Sequence, residues 1–167
     1  MKFGKRDKSI VDSLFLLVLL GVFLICALFI VLFGAKIYKN TVKSSEDSFF
    51  ERTCCTYITE KIRQNDNSNG VSLLEEKGND VLKLTKDINS NSFSTYLYCD
   101  DGYIKEYTRA SDLPFDPSYG TNVIGASSFV VTKHSEHLLE FIVSNEEGVS
   151  TDFFVSIKSD IGGIGDE

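Results

Sequence analysis

"AKIYKNTVKSSEDSFFERTCCTYITEKIRQ", residues 35–64, decides how this chain is read. From Lys36 to Gln64 there is neither Pro nor Gly. Apolar or semi-apolar residues recur at Tyr38, Val42, Ser45, Phe49, Thr53 or Cys54, Tyr57 or Ile58, and Ile62, near the 3.6-residue period of an amphipathic helix. "NDNSNG", Asn65 to Gly70, is a cluster of turn formers that ends it. A coiled-coil stalk would want clean a and d positions over several heptads. The paired aromatics Phe49-Phe50 and the paired Cys54-Cys55 suit packing on a sheet better.

Immediately upstream, Leu14 to Ala35 form 22 residues without a charge, rich in Leu, Val, Ile and Phe. A helix of that length rises roughly 33 Å and spans a bilayer. A secretory signal would have a shorter apolar core of roughly 7 to 15 residues and a small-x-small cleavage site, whereas this run ends in Lys36-Ile37-Tyr38-Lys39. Cys26 sits in mid-run behind Leu24-Ile25, without the small residue a lipidated cysteine would need, and reads as a small apolar side chain. Joined together, Ser13 to Gln64 make one helix on the order of 78 Å long. Lys2, Lys5, Arg6 and Lys8 precede the run and Lys36, Lys39 and Lys43 follow it, a modest bias that places the N-terminus in the cytoplasm and the rest of the chain outside the cell membrane.

Residues 1–43 carry a balance of +5, so with −7 over the whole chain the remainder holds −12. Direct nucleic-acid binding is not expected from so acidic a domain, because such binding rests on neutralising phosphates with Lys and Arg. About 100 residues beyond the helix suffice for one small core.

Those residues read as strands at Val71–Leu74, Val81–Leu84, Phe93–Cys99, Tyr103–Tyr107, Ser128–Thr132, Leu138–Val143 and Thr151–Ile157. In "FSTYLYCDDGYIKEY" the Asp101-Gly102 centre suits a two-residue type I′ turn, with Cys99 opposite Ile104 and Tyr96 opposite Tyr107. A second hairpin, "HLLEFIVSNEEGVSTDFFVSI", has a longer loop around Gly148, and "LPFDPSYG" is a surface connection. The expected fold class is α+β: a long N-terminal helix, transmembrane then amphipathic, packed on an antiparallel β-meander. The expected segments are a basic N-terminus (1–12), a transmembrane helix (13–35), its amphipathic extension (36–64), an antiparallel β domain (65–160) and a flexible tail (161–167).

Catalytic signals are weak. His134, His137 and Glu140 look like a metal cluster, but on a strand the two histidines would point to opposite faces. There is no G-x-S-x-G elbow, Walker loop or dinucleotide fingerprint. The acids at Asp100-Asp101 and from Asp112 to Asp116 sit in or near expected turns, where ordinary solvation explains them better than calcium binding does. No enzymatic activity, cofactor or metal is expected. Cys54, Cys55 and Cys99 leave two alternatives, a helix-to-sheet disulfide from Cys99 to Cys54 or Cys55, or buried free thiols.

A short basic N-terminus, one membrane-spanning helix that continues as an amphipathic helix, and a β-meander closed by hairpins together resemble the type IV pilin and pseudopilin architecture. The resemblance covers nearly the whole chain and is greatest to minor pilin-like proteins of Gram-positive bacteria. "STYLYCDDGYIKEY" is similar to the tyrosine-rich "YIY-x-DG-x-L" hairpin of that group. The prepilin cleavage motif is where the chain departs. Asp12 is the only acid placed like the family's glutamate, and counting back from it puts Lys8 at the first mature position and Asp7 where the glycine belongs. The chain is therefore expected to stay uncleaved. Asp12 is either a solvated helix N-cap or a carboxylate that pairs with a neighbouring subunit's N-terminal amine.

The resemblance implies a structural subunit of a type IV pilus, secretion or DNA-uptake machinery. Its partners would be the lipid bilayer and other pilin-like membrane proteins, met through a helix stripe of Tyr38, Val42, Phe49 and Tyr57. Gly21, Ala27 and Gly34 are scattered small residues without a GxxxG pair. The alternative is a bitopic surface protein whose outer domain binds a ligand or partner.

Overall fold

A computed structural model describes residues 5–67, 70–76 and 78–161, with side chains from residue 10 onward. The tail from residue 162 and the N-terminus before Lys5 lie outside the described residues. One helix, α1 (Lys5–Gln64), runs without interruption through both the apolar run and the amphipathic stretch. It begins at least two turns before Ser13. Its last turn carries Lys61 and Arg63, which complement the negative end of the helix dipole. Beyond it, Asn65 caps through its side-chain amide on the Lys61 carbonyl at 2.8 Å. Gly70 then passes so near the Asn65 carbonyl that a Cβ would sit 2.0 Å from its oxygen. Only glycine fits that return.

The chain divides into two compact units, Met1–Glu46 and Asp47–Glu167. In the first, the described residues are helix alone. The second holds the end of α1 and eight strands: β1 (Val71–Glu76), β2 (Asn79–Ile88), β3 (Asn91–Asp100), β4 (Tyr103–Ala110), β5 (Thr121–Gly125), β6 (Ser128–Ser135), β7 (Leu138–Ser144) and β8 (Ser150–Ser156). They form two antiparallel sheets rather than one meander, β1-β2-β3-β4-β5 and β6-β7-β8. The chain changes sheet within two residues. Ala126 N–H donates to the Gly102 carbonyl beside the first sheet, and Ser127 N–H to the Ser144 carbonyl in the second.

The turn at Asp101-Gly102 has positive φ at both residues, 51° and 76°, as a type I′ hairpin requires. Cys99 faces Ile104 and Tyr96 faces Tyr107. Asn89 and Ser90 make the same left-handed turn between β2 and β3.

A single core joins the pieces of the second unit. Cys54, Ile58 and Ile62 of α1 meet Leu82, Leu84, Leu97 and Ile104 of the larger sheet and Phe129, Leu139, Phe141 and Val143 of the smaller. The three helical residues recur every four positions and so share one face. The opposite face of the larger sheet is also covered. There Tyr96, Tyr98, Tyr107 and Val81 pack with Leu74 and Phe115. Phe115 belongs to the "LPFDPSYG" connection, which is thus a strap over the sheet rather than a bare surface loop. The Tyr98 hydroxyl donates to the Pro117 carbonyl at 2.7 Å, and the Tyr107 hydroxyl accepts from Asp116 N–H at 2.7 Å. β3 is therefore buried on both sides. Where β6 approaches β2, the Asp80 carboxylate accepts the Val131 N–H at 2.9 Å.

Asp66, just past α1, accepts hydrogen bonds from the N–H groups of Lys158 and Ser159 and from the Ser159 hydroxyl. Burial alone would raise its pKa, but the bonds from Ser159 and Lys158 prevail and hold the carboxyl below its ordinary 3.8. A carboxyl that is more acidic folded than unfolded contributes stability above the ordinary value and loses that contribution as pH falls through and below it. Asp66→Asn is accordingly expected to lower the melting temperature near neutral pH and to flatten its decline below about pH 4. Parallel melts of the two proteins across pH 2–7 check this; equal slopes would refute it.

Candidate functional site

The sequence points to α1 as the working element, and its faces differ along its length. The large apolar residues from Ile10 to Phe33 are exposed all round, and the apolar window of the helix is wholly unburied. The helix is long and apolar enough to cross a membrane. A soluble helix would spend such residues on a core. Asp12 lies inside the helix, about two turns past Lys5, so it is not an N-cap.

Within the second unit, α1 has an occupied face and a free one. Ile58 and Cys54 are fully buried and Phe50 packs against the same core. Phe49, nine residues before Ile58 and so on the opposite side of the helix, is 72% exposed. Tyr38 in the first unit is 74% exposed and Val42 is half-buried.

Tyr57 differs from the other members of the expected stripe. It is partly buried against the core, and its hydroxyl donates to Glu106 Oε2 on β4. Lys61 Nζ, one turn on, reaches Glu106 Oε1 at 2.6 Å and stands 5.4 Å from the Tyr57 ring centre. Burial and the neighbouring carboxylate push the Tyr57 phenol well above its ordinary range, so it stays a donor. Hydrogen bonds of this kind to a charged group contribute about 1.5–3 kcal/mol each. Tyr57 is thus committed to the chain's own sheet. Sequence periodicity alone could not separate it from Phe49, because the partner that claims it lies 49 residues away.

Cys54 is buried, and Cys55 and Cys99 are partly buried. Cys54, Cys55 and Cys99 are free thiols. The Cys99 thiol donates to the Ala126 carbonyl at 3.3 Å. Burial pushes the Cys54 thiol up to about 12 and also raises Cys99, which leaves both protonated and poorly nucleophilic at neutral pH.

Two of the acids considered for calcium have other engagements. Asp100 pairs with Lys105 at 2.6 Å, and the Asp116 side chain caps a 3₁₀ turn at Pro117–Tyr119 through Ser118. The two histidines go to separate partners. His134 lies 3.4 Å from Glu140 and meets the Phe154 ring edge-on, while His137 faces Asp160. Asp160 had no place in the sequence reading, because nothing in its spacing announces that it folds back onto the β6–β7 turn.

A family model matches the stretch from Phe49, through the core-facing end of α1 and the strands up to β7, to Glu146. The candidate membrane span and β8 fall outside the match. No curated protein and no solved structure matches the chain. With residues 49–146, more than half of its length, matched, the chain belongs to the family described as Domain of unknown function (DUF4860).

Proposed function

We propose that this protein is a single-pass, pilin-like structural subunit that works by helix–helix assembly in a type IV pilus, secretion or DNA-uptake type machinery, and that it is not an enzyme. The observation that carries this reading is the division of labour along one unbroken helix. Among the described residues its apolar N-terminal window is unburied, its C-terminal part is anchored to a β domain through Cys54, Ile58 and Ile62, and Phe49 is left exposed on the side away from that anchor. In this reading the bilayer holds the span, the N-terminus is cytoplasmic and the acidic β domain is extracytoplasmic. Tyr38, Val42 and Phe49 meet the helices of other pilin-like membrane proteins. The committed Tyr57 takes no part.

The test is crosslinking in intact cells between single cysteines, introduced at positions 38, 42 and 49 and, as a control, at position 57, in a chain freed of its own cysteines, and co-expressed single-pass proteins carrying cysteines of their own. Crosslinks from these three positions, and none from position 57, are expected. If no position captures another helical membrane protein while the chain remains membrane-bound, the assembly reading fails.

A further inference from the structure

β6 and β7 are joined by the two residues Glu136 and His137, and the segment Lys158–Ile161 folds back over that turn. The fold-back is fixed by backbone. Ile157 N–H donates to the His137 carbonyl at 2.9 Å and Ile161 N–H to the Glu136 carbonyl at 3.3 Å. From the other side, Asp66 holds the N–H groups of Lys158 and Ser159. The result brings a carboxylate oxygen of Glu136, a ring nitrogen of His137 and a carboxylate oxygen of Asp160 within 4.8 Å of one another.

The ring of His137 is oriented by its surroundings. Its Nδ1 lies 3.3 Å from the Ser159 carbonyl oxygen, which can only accept, so Nδ1 carries the hydrogen. In the neutral ring, Nε2 then presents a bare lone pair, and Nε2 stands 3.8 Å from Asp160 Oδ1. Either a proton or a metal ion on Nε2 satisfies that approach, and the experiment below separates the two. Metal-binding histidines are held in this way, with the second ring nitrogen donating to a backbone carbonyl.

We propose that Glu136, His137 and Asp160 bind one divalent transition-metal ion of zinc type. One imidazole with two carboxylates suits such an ion better than calcium or magnesium, which favour oxygen alone. Bonds of about 2.0–2.2 Å put neighbouring tetrahedral ligands roughly 3.4 Å apart. All three side chains are exposed, and their ligand atoms, now within 4.8 Å of one another, would close to that separation around a bound ion. The three residues leave the fourth position to water. Bound metal would staple the C-terminal segment to the β6–β7 turn.

The experiment is equilibrium dialysis of the full-length protein in detergent micelles against zinc chloride, with magnesium and calcium chloride as comparisons. One zinc per chain is expected, with no comparable uptake of the other two ions. His137→Ala and Asp160→Asn should each weaken uptake at least tenfold while leaving the circular dichroism of the metal-free protein unchanged. His134→Ala should leave uptake intact, which excludes the chain's other histidine. The proposal is overturned if zinc does not bind. It is equally overturned if both variants bind zinc as the parent does, or if the cobalt-loaded protein shows a thiolate charge-transfer band, which would assign the ion to the cysteines.

Discussion

Ile58→Asp is expected to abolish the folded β domain. Ile58 is fully buried between Cys54 and Ile62, where α1 meets both sheets. Truncating such a residue to alanine costs about 2–5 kcal/mol. An aspartate there adds an uncompensated buried charge, and no buried side-chain polar atom among the described residues lacks a partner that could share it. Against a total of about 5–15 kcal/mol for a typical domain, the loss is decisive. Phe49→Asp supplies the contrast, because it lies on the same helix facing away from the core and should shift stability by no more than about 0.5 kcal/mol. Limited proteolysis and thermal melts of the two proteins in detergent make the comparison. A protease-resistant Ile58→Asp protein would mean that the sheets stand without the helix.

Leu24→Arg with Ile25→Arg is expected to remove the protein from the membrane. Both positions lie near the middle of the uncharged run, and both are exposed. Each arginine at the centre of a span costs about 2.5–3.5 kcal/mol on insertion scales, and the leucine and isoleucine contributions are lost as well. Adjacent substitutions also point in directions about 100° apart, so tilting the helix cannot relieve both. After alkaline carbonate extraction, the parent should remain in the pellet and the variant should be soluble or degraded. A double variant that still pellets would remove the span from the functional reading.

The features legible in the sequence were those set by local chemistry. Asp101-Gly102 is short, suited to left-handed backbone and flanked by alternating residues, so the turn and the register beyond it could both be read. The absence of Pro and Gly between Lys36 and Gln64 correctly implied an unbroken helix. What escaped depends on distant partners. β5 carries only one buried side chain, Ile124, and as an edge strand has little pattern to offer. The passage from one sheet to the other at Ala126-Ser127 is marked only by the single Gly125 that ends β5, too little to announce a change of sheet. On the helix, 3.6-residue spacing grouped Tyr57 with Phe49, although one serves the fold and the other remains free. The β6–β7 turn and Asp160 were likewise invisible as a cluster, since only the return of the chain brings them together.

The Asp80 carboxylate on the Val131 N–H has a bearing on life at high density. β6 is an outer strand of its sheet, and its outward N–H groups would otherwise be a template for a strand of another molecule. At Val131 that position is already taken by a charged group of the same chain, and an incoming strand would have to displace it and desolvate the acid. Proteins held in a bilayer meet one another in two dimensions, where even weak edge pairing is amplified by crowding. A carboxylate planted on the margin of the sheet favours orderly contact through other surfaces and discourages the runaway zippering that exposed strands invite.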